Sequence, residues 1–352
     1  MVGVRMNILV IGNGFDLAHG LPTSYREFLN FIDKDSNAIS KILQQNGLSI
    51  LESTAASENI KKLSNDNYWV EHFLDISNCG ENWIDFESEI SKEIQRIEKV
   101  IKLIKVAQEN PESETEAECI NEMECNYEDL CVEFCINIKY EDSDLTAQIK
   151  EKLLSDLNRL IHCLELYMCQ YVNKIRIAED RKLNLLQSVQ FDCVLSFNYT
   201  NTFERFYGSD SVQYHYIHGK ADITHTDETR NLILGIDEYL TGDARNTEIE
   251  FIEFRKFFQR IYKGTGALYK SWLCSGGDED NDIYVLGHSL DITDKDILKE
   301  LILSSYTKVH ILHHDKNALA HQITNLVRLI GQDKLIEYTY NPNPHIDFIE
   351  QK

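Results

Sequence analysis

Asn7-Ile-Leu-Val-Ile-Gly-Asn-Gly-Phe-Asp-Leu-Ala-His-Gly-Leu-Pro-Thr-Ser-Tyr-Arg-Glu-Phe-Leu29 runs from an apolar strand through a glycine-flanked turn into the start of a helix. Ile8 to Ile11 are all apolar, the pattern of a strand buried on both faces. Gly12 and Gly14 let the backbone turn sharply and lie close to a bound group. The helix that follows such a turn points unpaired N–H groups at a ligand. Strand, glycine turn and helix in this order build a nucleotide pocket.

The remainder of the chain supports that reading. From about residue 36 to 190 the pattern is helical. Apolar residues recur at helical spacing in Ile84, Phe86, Ile90, Ile94, Ile97, Ile101 and Ile104, and again from Leu153 to Tyr171. From Phe191 onward the apolar runs become short: 191–197, 213–217, 231–235, 282–287 and 308–313 read as strands. Amphipathic helices are expected over 294–303 and 317–330, with Asp294 and Asp315 at N-cap positions. The predicted class is α/β: a Rossmann-like, doubly wound, mainly parallel sheet with a large helical insertion. Residues 1–35 supply the first strand, turn and helix, 36–190 the insertion, and 191–352 the rest of the core.

Composition narrows the function. The chain has 352 residues and a formal charge of −23, which argues against a surface that binds nucleic acid, because phosphate affinity is carried by clustered Lys and Arg. Thirteen acidic residues against Lys139 lie between Glu109 and Ala147, and read as a solvated face or a partner-binding region. No apolar run is long enough for a membrane span, and the N-terminus lacks a signal-peptide pattern. The nine cysteines are scattered without CxxC spacing, which suits a reducing cytoplasm. Cys119, Cys125, Cys131 and Cys135 have the wrong spacing for a zinc ribbon. His313 and His314 are adjacent on a strand and face opposite ways, so they do not chelate one ion. No metal is expected.

Ligands of doubly wound sheets bind beyond the carboxyl ends of the strands. Ser196-Phe-Asn198-Tyr-Thr200, His218-Gly219 and Gly287-His288-Ser289-Leu290 stand at three such ends, beside Gly12 to Asp16. They offer an amide, an imidazole, hydroxyls, a carboxylate and backbone donors. No cysteine–histidine or serine–histidine–acid arrangement is apparent, so acyl transfer ranks low. Asn198 also reads as a turn former, His218 as a structural histidine, and Asp16 equally as a helix cap or a ligand contact. Glu87 falls on an amphipathic helix, where exposure is the default.

Ile11-Gly-Asn-Gly-Phe-Asp16, Gly20-Leu-Pro-Thr23, Trp83-Ile-Asp-Phe-Glu87, Ser196-Phe-Asn-Tyr-Thr200, His218-Gly219 and Gly287-His-Ser-Leu290 together resemble the AbiH family of bacterial phage abortive-infection proteins. More distantly these motifs resemble the sirtuin-like Rossmann domains of antiphage defence. The resemblance implies a toxic or growth-arresting response to infection, with NAD as ligand or substrate and no further cofactor. By position it implies that Asn198 orients water or ribose and that His218 bonds ribose or acts as base; Asp16, which stands where the pattern carries serine, is kept on physical grounds, as negative charge for an oxocarbenium-like ribose and the cationic nicotinamide ring. Gly12, Asn13, Gly14, Phe15, Thr23, Thr200, Gly287 and Ser289 are the implied nucleotide contacts. Thr200 stands where the sirtuin-like pattern carries aspartate, and the zinc-ribbon cysteines of deacetylating sirtuins are missing. The leading expectation is therefore hydrolysis of NAD at the nicotinamide bond. A nucleotide sensor acting through a protein partner and a nucleic-acid-directed toxin are the alternatives. Besides NAD or a related nucleotide, the expected partners are a phage trigger or a protein partner and a second copy of the chain.

Overall fold

The apolar run at the N-terminus becomes the central strand of a six-stranded sheet. The computed structural model describes residues 5–33, 50–78, 85–109, 128–134, 145–177, 182–273 and 280–351. The strands are β1 (Asn7–Ile11), β2 (Cys193–Ser196), β3 (Gln213–Tyr216), β4 (Asn281–Leu286), β5 (Thr307–His313) and β6 (Ile346–Glu350). They lie in the order β3-β2-β1-β4-β5-β6, and every neighbouring pair is parallel. This is the Rossmann order, and it reverses between β1 and β4. Ile8 to Ile11 are all buried, as a strand covered on both faces requires.

Two sequence expectations change. Residues 231–235 form no strand, although Leu232, Ile233 and Leu234 are fully buried. Their backbone groups are satisfied from outside a sheet: Ile233 N–H donates to His218 O, Leu234 N–H to Gln259 Oε1, and Tyr199 Oη to Ile233 O. An apolar run needs partners for its backbone, and two side chains and one loop carbonyl supply them here as well as a ladder would. The second change is β6, which pairs in register with β5 and was not anticipated.

The helices are α1 (Asn13–Ala18), α2 (Tyr25–Asp33), α3 (Ile50–Ser64), α4 (Tyr68–Asn78), α5 (Phe86–Glu109), α6 (Leu145–Gln170) and, later in the chain, α7 (Lys256–Tyr262), α8 (Lys295–Leu303), α9 (Lys316–Ile330) and α10 (Gln332–Thr339), with several shorter turns between. Ser24 and Glu27 start α2 with reciprocal side-chain to backbone bonds. Asp315 accepts from Ala318 N–H at the start of α9, as its position suggested.

The apolar periodicity of α5 and α6 is buried: Phe86, Ile90, Ile94, Ile97, Ile101 and Ile104 on one helix, and Leu153 to Tyr171 on the other. Trp69 on α4 donates its indole N–H to Leu153 O, and Asn67 donates to Asp156 O, which ties α4 to α6. The same apolar cluster takes in Tyr199, Leu232, Leu234, Phe251 and Phe254 from the chain that follows β2 and β3. The helical layer thus packs over the strand-end side of the sheet. Trp83, Ile84, Cys119, Cys125, Cys135 and most of the acidic stretch 109–147 lie outside the described residues. No helix among the described residues is long and apolar enough to cross a membrane.

Phe86 is the centre of this layer. Its ring stacks on Tyr25 at 4.2 Å and on Phe73 at 4.0 Å, both within 9° of parallel, and it is fully buried. Replacing Phe86 by alanine should cost about 3–5 kcal/mol, from lost burial and the remaining cavity. Urea denaturation would measure this.

Candidate functional site at the strand ends

The switch point between β1 and β4 is closed by two turns in contact. Gly12 N–H donates to Leu286 O at 3.2 Å, and Gly14 N–H to Gly287 O at 2.8 Å. Gly287 has φ +67°, and a Cβ there would fall 2.1 Å from Phe15 N. A Cβ on Gly14 would meet Gly287 O at 2.8 Å. These glycines let the two backbones touch. Asn198 braces the same place, donating its Nδ2 to Gly12 O at 3.0 Å.

On one side of this junction lies Asp16. Gly12 occupies the cap position of α1, and the Asp16 carboxylate does not cap. Its Oδ2 accepts from Thr200 Oγ1 at 2.5 Å, and Thr202 Oγ1 donates in turn to Thr200 Oγ1 at 3.1 Å. Oδ1 is buried and has no hydrogen-bond partner among the described residues. Burial pushes the Asp16 pKa up to about 6, against the hydrogen bond from Thr200, the nearby Thr202 hydroxyl and the charge of Arg205.

On the other side is a charged group with Lys256 at its centre. Lys256, on α7, is 3% exposed. Its Nζ lies 2.7 Å from Asp294 Oδ1 and 2.7 Å from Glu87 Oε2. Asp294 Oδ1 is also 3.0 Å from His218 Nε2, and Asp294 Oδ2 is 3.9 Å from His288 Nε2. The sequence placed Asp294 as a cap; it stands at the N-terminus of α8, but its side chain caps nothing. The cation and the imidazole hold it instead. Glu87, for which exposure was the default, is turned inward. Asp85 accepts from Glu87 N–H at the start of α5, and Phe86 plugs into the aromatic layer. In the Trp83 to Glu87 motif, one carboxylate therefore starts a helix and the next reaches Lys256.

The electrostatics follow from burial and pairing. Burial works to lower Lys256, but Asp294 and Glu87 outweigh it and hold the ammonium charged. Burial works to raise Asp294, but the charge of Lys256 and the contact with His218 keep its carboxyl well below the usual range. Glu87 shares the same cation with a second carboxylate. Burial raises its pKa, and although Lys256 opposes this, Asp294 adds to it and the value reaches about 7. Burial lowers His218, against the pull of Asp294, and takes His288 down to about 4.

These states fix the histidine tautomer. An ionised Asp294 only accepts, so neutral His218 carries its hydrogen on Nε2. Its lone pair is then on Nδ1, which is buried and has no hydrogen-bond partner among the described residues. His288 is oriented differently: its Nδ1 accepts from Leu290 N–H at 2.9 Å, with Leu290 in the left-handed region at φ +59°. The ring of Phe197 stands edge-on to both imidazoles.

The expected site residues thus fall into three sets. Asn198, Gly12, Gly14 and Gly287 meet at the junction of the turns, Asp16 and Thr200 pair beside it, and His218 belongs to the Lys256 group. No hydrogen bond or ion pair joins Asp16 to His218 among the described residues. Thr23 donates to the side chain of exposed Asn13 at 2.6 Å. Phe15 is a core residue, with its ring against His19, Phe203 and Tyr207. Ser289 is exposed, and its carbonyl accepts from Asn325. Lys256, Asp294 and His288 were not among the expected site residues. Two clefts elsewhere on the described surface, one beside Lys99, Lys102 and Tyr239 and one beside Phe191 and Tyr207, do not include this group.

The Asp16 titration gives a stability prediction. A carboxyl raised from 3.8 to about 6 in the folded protein keeps its proton where the unfolded chain has lost it. Stability is therefore lost as pH rises from about 4 to about 6, by up to about 3 kcal/mol. Asp16→Asn should flatten that dependence and leave the protein more stable than the parent above pH 6. Thermal unfolding at a series of pH values would check it.

The chain matches a family model described as "Bacteriophage abortive infection AbiH" over residues 8–313. No curated protein and no solved structure matches. The matched span runs from the first residue of the buried core of β1 to the last residue of β5, and holds Asp16, Glu87, Asn198, His218, Lys256 and Asp294, so the chain belongs to the AbiH family of bacteriophage abortive infection proteins.

Proposed function

We propose that the protein acts in phage abortive infection by hydrolysing NAD at the nicotinamide N-glycosidic bond, with His218 as general base. The observation that carries the reading is the buried Nδ1 of His218, whose lone pair is fixed by the bond from Nε2 to Asp294. NAD as the substrate comes from the motif likeness to sirtuin-like domains. The Rossmann strand order, with these residues at the carboxyl ends of β1 to β4, is in keeping with a nucleotide.

In this mechanism water attacks C1′ of the ribose as the bond to nicotinamide breaks. Nicotinamide leaves as a neutral ring with the bonding electrons, and the product is ADP-ribose. His218 Nδ1 takes the proton of the attacking water, and Asp294 stabilises the imidazolium that forms. Asp16, with its pKa near 6, is mostly ionised at neutral pH and supplies negative charge for the oxocarbenium-like ribose. Asn198 holds the glycine turn and orients the ribose or the water. The catalytic atoms are buried, so this reading requires the two turns to part to admit the substrate.

A second reading, a nucleotide sensor that acts through a partner, is favoured by the contact between the glycine turn and Gly287. Turnover separates the two. Purified protein is incubated with NAD, with and without lysate from infected cells, and nicotinamide and ADP-ribose are followed by chromatography. We expect release that falls by about 10²–10⁴ in His218→Ala and is also lost in Asn198→Ala, with both variants folded. Equal release by both variants and the parent would sink the mechanism. Binding of NAD without release would leave the sensor, and degraded RNA after induction would point to a nucleic-acid toxin.

A further inference from the structure

We propose that Glu87, carried by the helical layer, and Lys256 are positioning residues that set the charge and basicity of His218. The assignment rests on the reading of His218 as a base. Lys256 has one ammonium and two carboxylate partners at equal distance, one from α5 and one from the turn before α8. Asp294 in turn bonds His218. The three contacts make a buried chain, Glu87–Lys256–Asp294–His218, running from the helices between β1 and β2 to the end of β3. It joins that layer to the imidazole through three polar contacts.

The charged groups around this chain decide the direction of its effect. Glu87 is faced by Lys256, Asp294, Asp85, Tyr25 and Tyr199. His218 is faced by Asp294, Lys256, Arg260 and His288. With Glu87 protonated, Lys256 is balanced by Asp294 alone, and a second positive charge on His218 is opposed by Lys256 and Arg260. When Glu87 ionises, Lys256 is neutralised from behind, and an imidazolium at His218 is opposed less. His218 is therefore the stronger base when Glu87 is charged, and burial places that change near pH 7. Removing Lys256 while Asp294 stays ionised acts in the same direction and more strongly.

α7 is packed by its polar face, on which Lys256 stands. That helix buries Lys256, Gln259 and Arg260 and turns Phe257, Ile261 and Tyr262 outward, the last two 78% and 80% exposed. A helix packed for apolar burial would face the other way.

The test is a pH titration of the histidine ring nitrogens by NMR, on full-length protein labelled with ¹⁵N-histidine, with His218 assigned from His218→Gln. In the parent, the His218 resonances should report neutral imidazole with the hydrogen on Nε2 and should move with a midpoint near pH 7 as Glu87 ionises. Glu87→Gln, which keeps shape and removes the charge, should abolish that movement. Lys256→Met should raise the protonation midpoint of His218 by about one pH unit, and Lys256→Arg should restore it. If Lys256→Met does not fold, Glu87→Gln decides the matter. His218 resonances that follow the same course in Glu87→Gln as in the parent would overturn the proposal. The spectra need no NAD, so a protein that fails to turn over NAD would sink the proposed function while this test still stands.

Discussion

A single buried ammonium holds the strand-end site together. Lys256 is surrounded by protein and sits against two carboxylates, so each charge lowers the cost of burying the other. A buried ion pair adds little to stability when compared with apolar packing, and breaking one is costly because it leaves a charge unpaired. What such a group gives is definition of place. α5, α7 and the turn before α8 can each be shifted only by separating charges in a medium where separation is expensive. The tautomer of His218 follows from that arrangement, since Lys256 and the histidines keep Asp294 ionised and an ionised carboxylate only accepts.

Much of the scaffold was legible in the residues. The run Ile8 to Ile11, the glycine turn and the later apolar strands gave the parallel sheet, and the spacing of isoleucines on α5 gave the buried face of that helix. These signals are local and periodic. The failures are those in which a local pattern has two physical solutions. Residues 231–235 are apolar enough for a strand, but Gln259 and Tyr199 satisfy their backbone instead. Asp294 stands at a helix start, but a cation and an imidazole compete for its carboxylate and win. Lys256 is the extreme case: Phe257 and Ile261 beside it suggest the inward face, and the structure turns them out. Glu87 was visible as part of a motif, and its role required knowing what α7 places opposite it.

Membership of the AbiH family gives the protein a role in abortive infection, and the fold locates the residues that must be explained. The helices between β1 and β2 are more than a cover. Through Phe86 they pack against Tyr25, and through Glu87 they reach the charge at the centre of the site. Any rearrangement of that layer would alter the site electrostatically as well as sterically.

The order of strands in the chain also bears on how the protein is made. β1 is synthesised first, yet it pairs with β2, which begins at Cys193, and with β4, which begins at Asn281. A strand of four buried aliphatic residues therefore leaves the ribosome long before either neighbour exists, while α4, α5 and α6 can pack on one another from local contacts. Pairing across such separations is slow, and the waiting strand is open to association with other chains. Synthesis of this protein thus has a built-in interval of vulnerability, ending only when β4 closes the second side of β1, and protection by chaperones matters most within it.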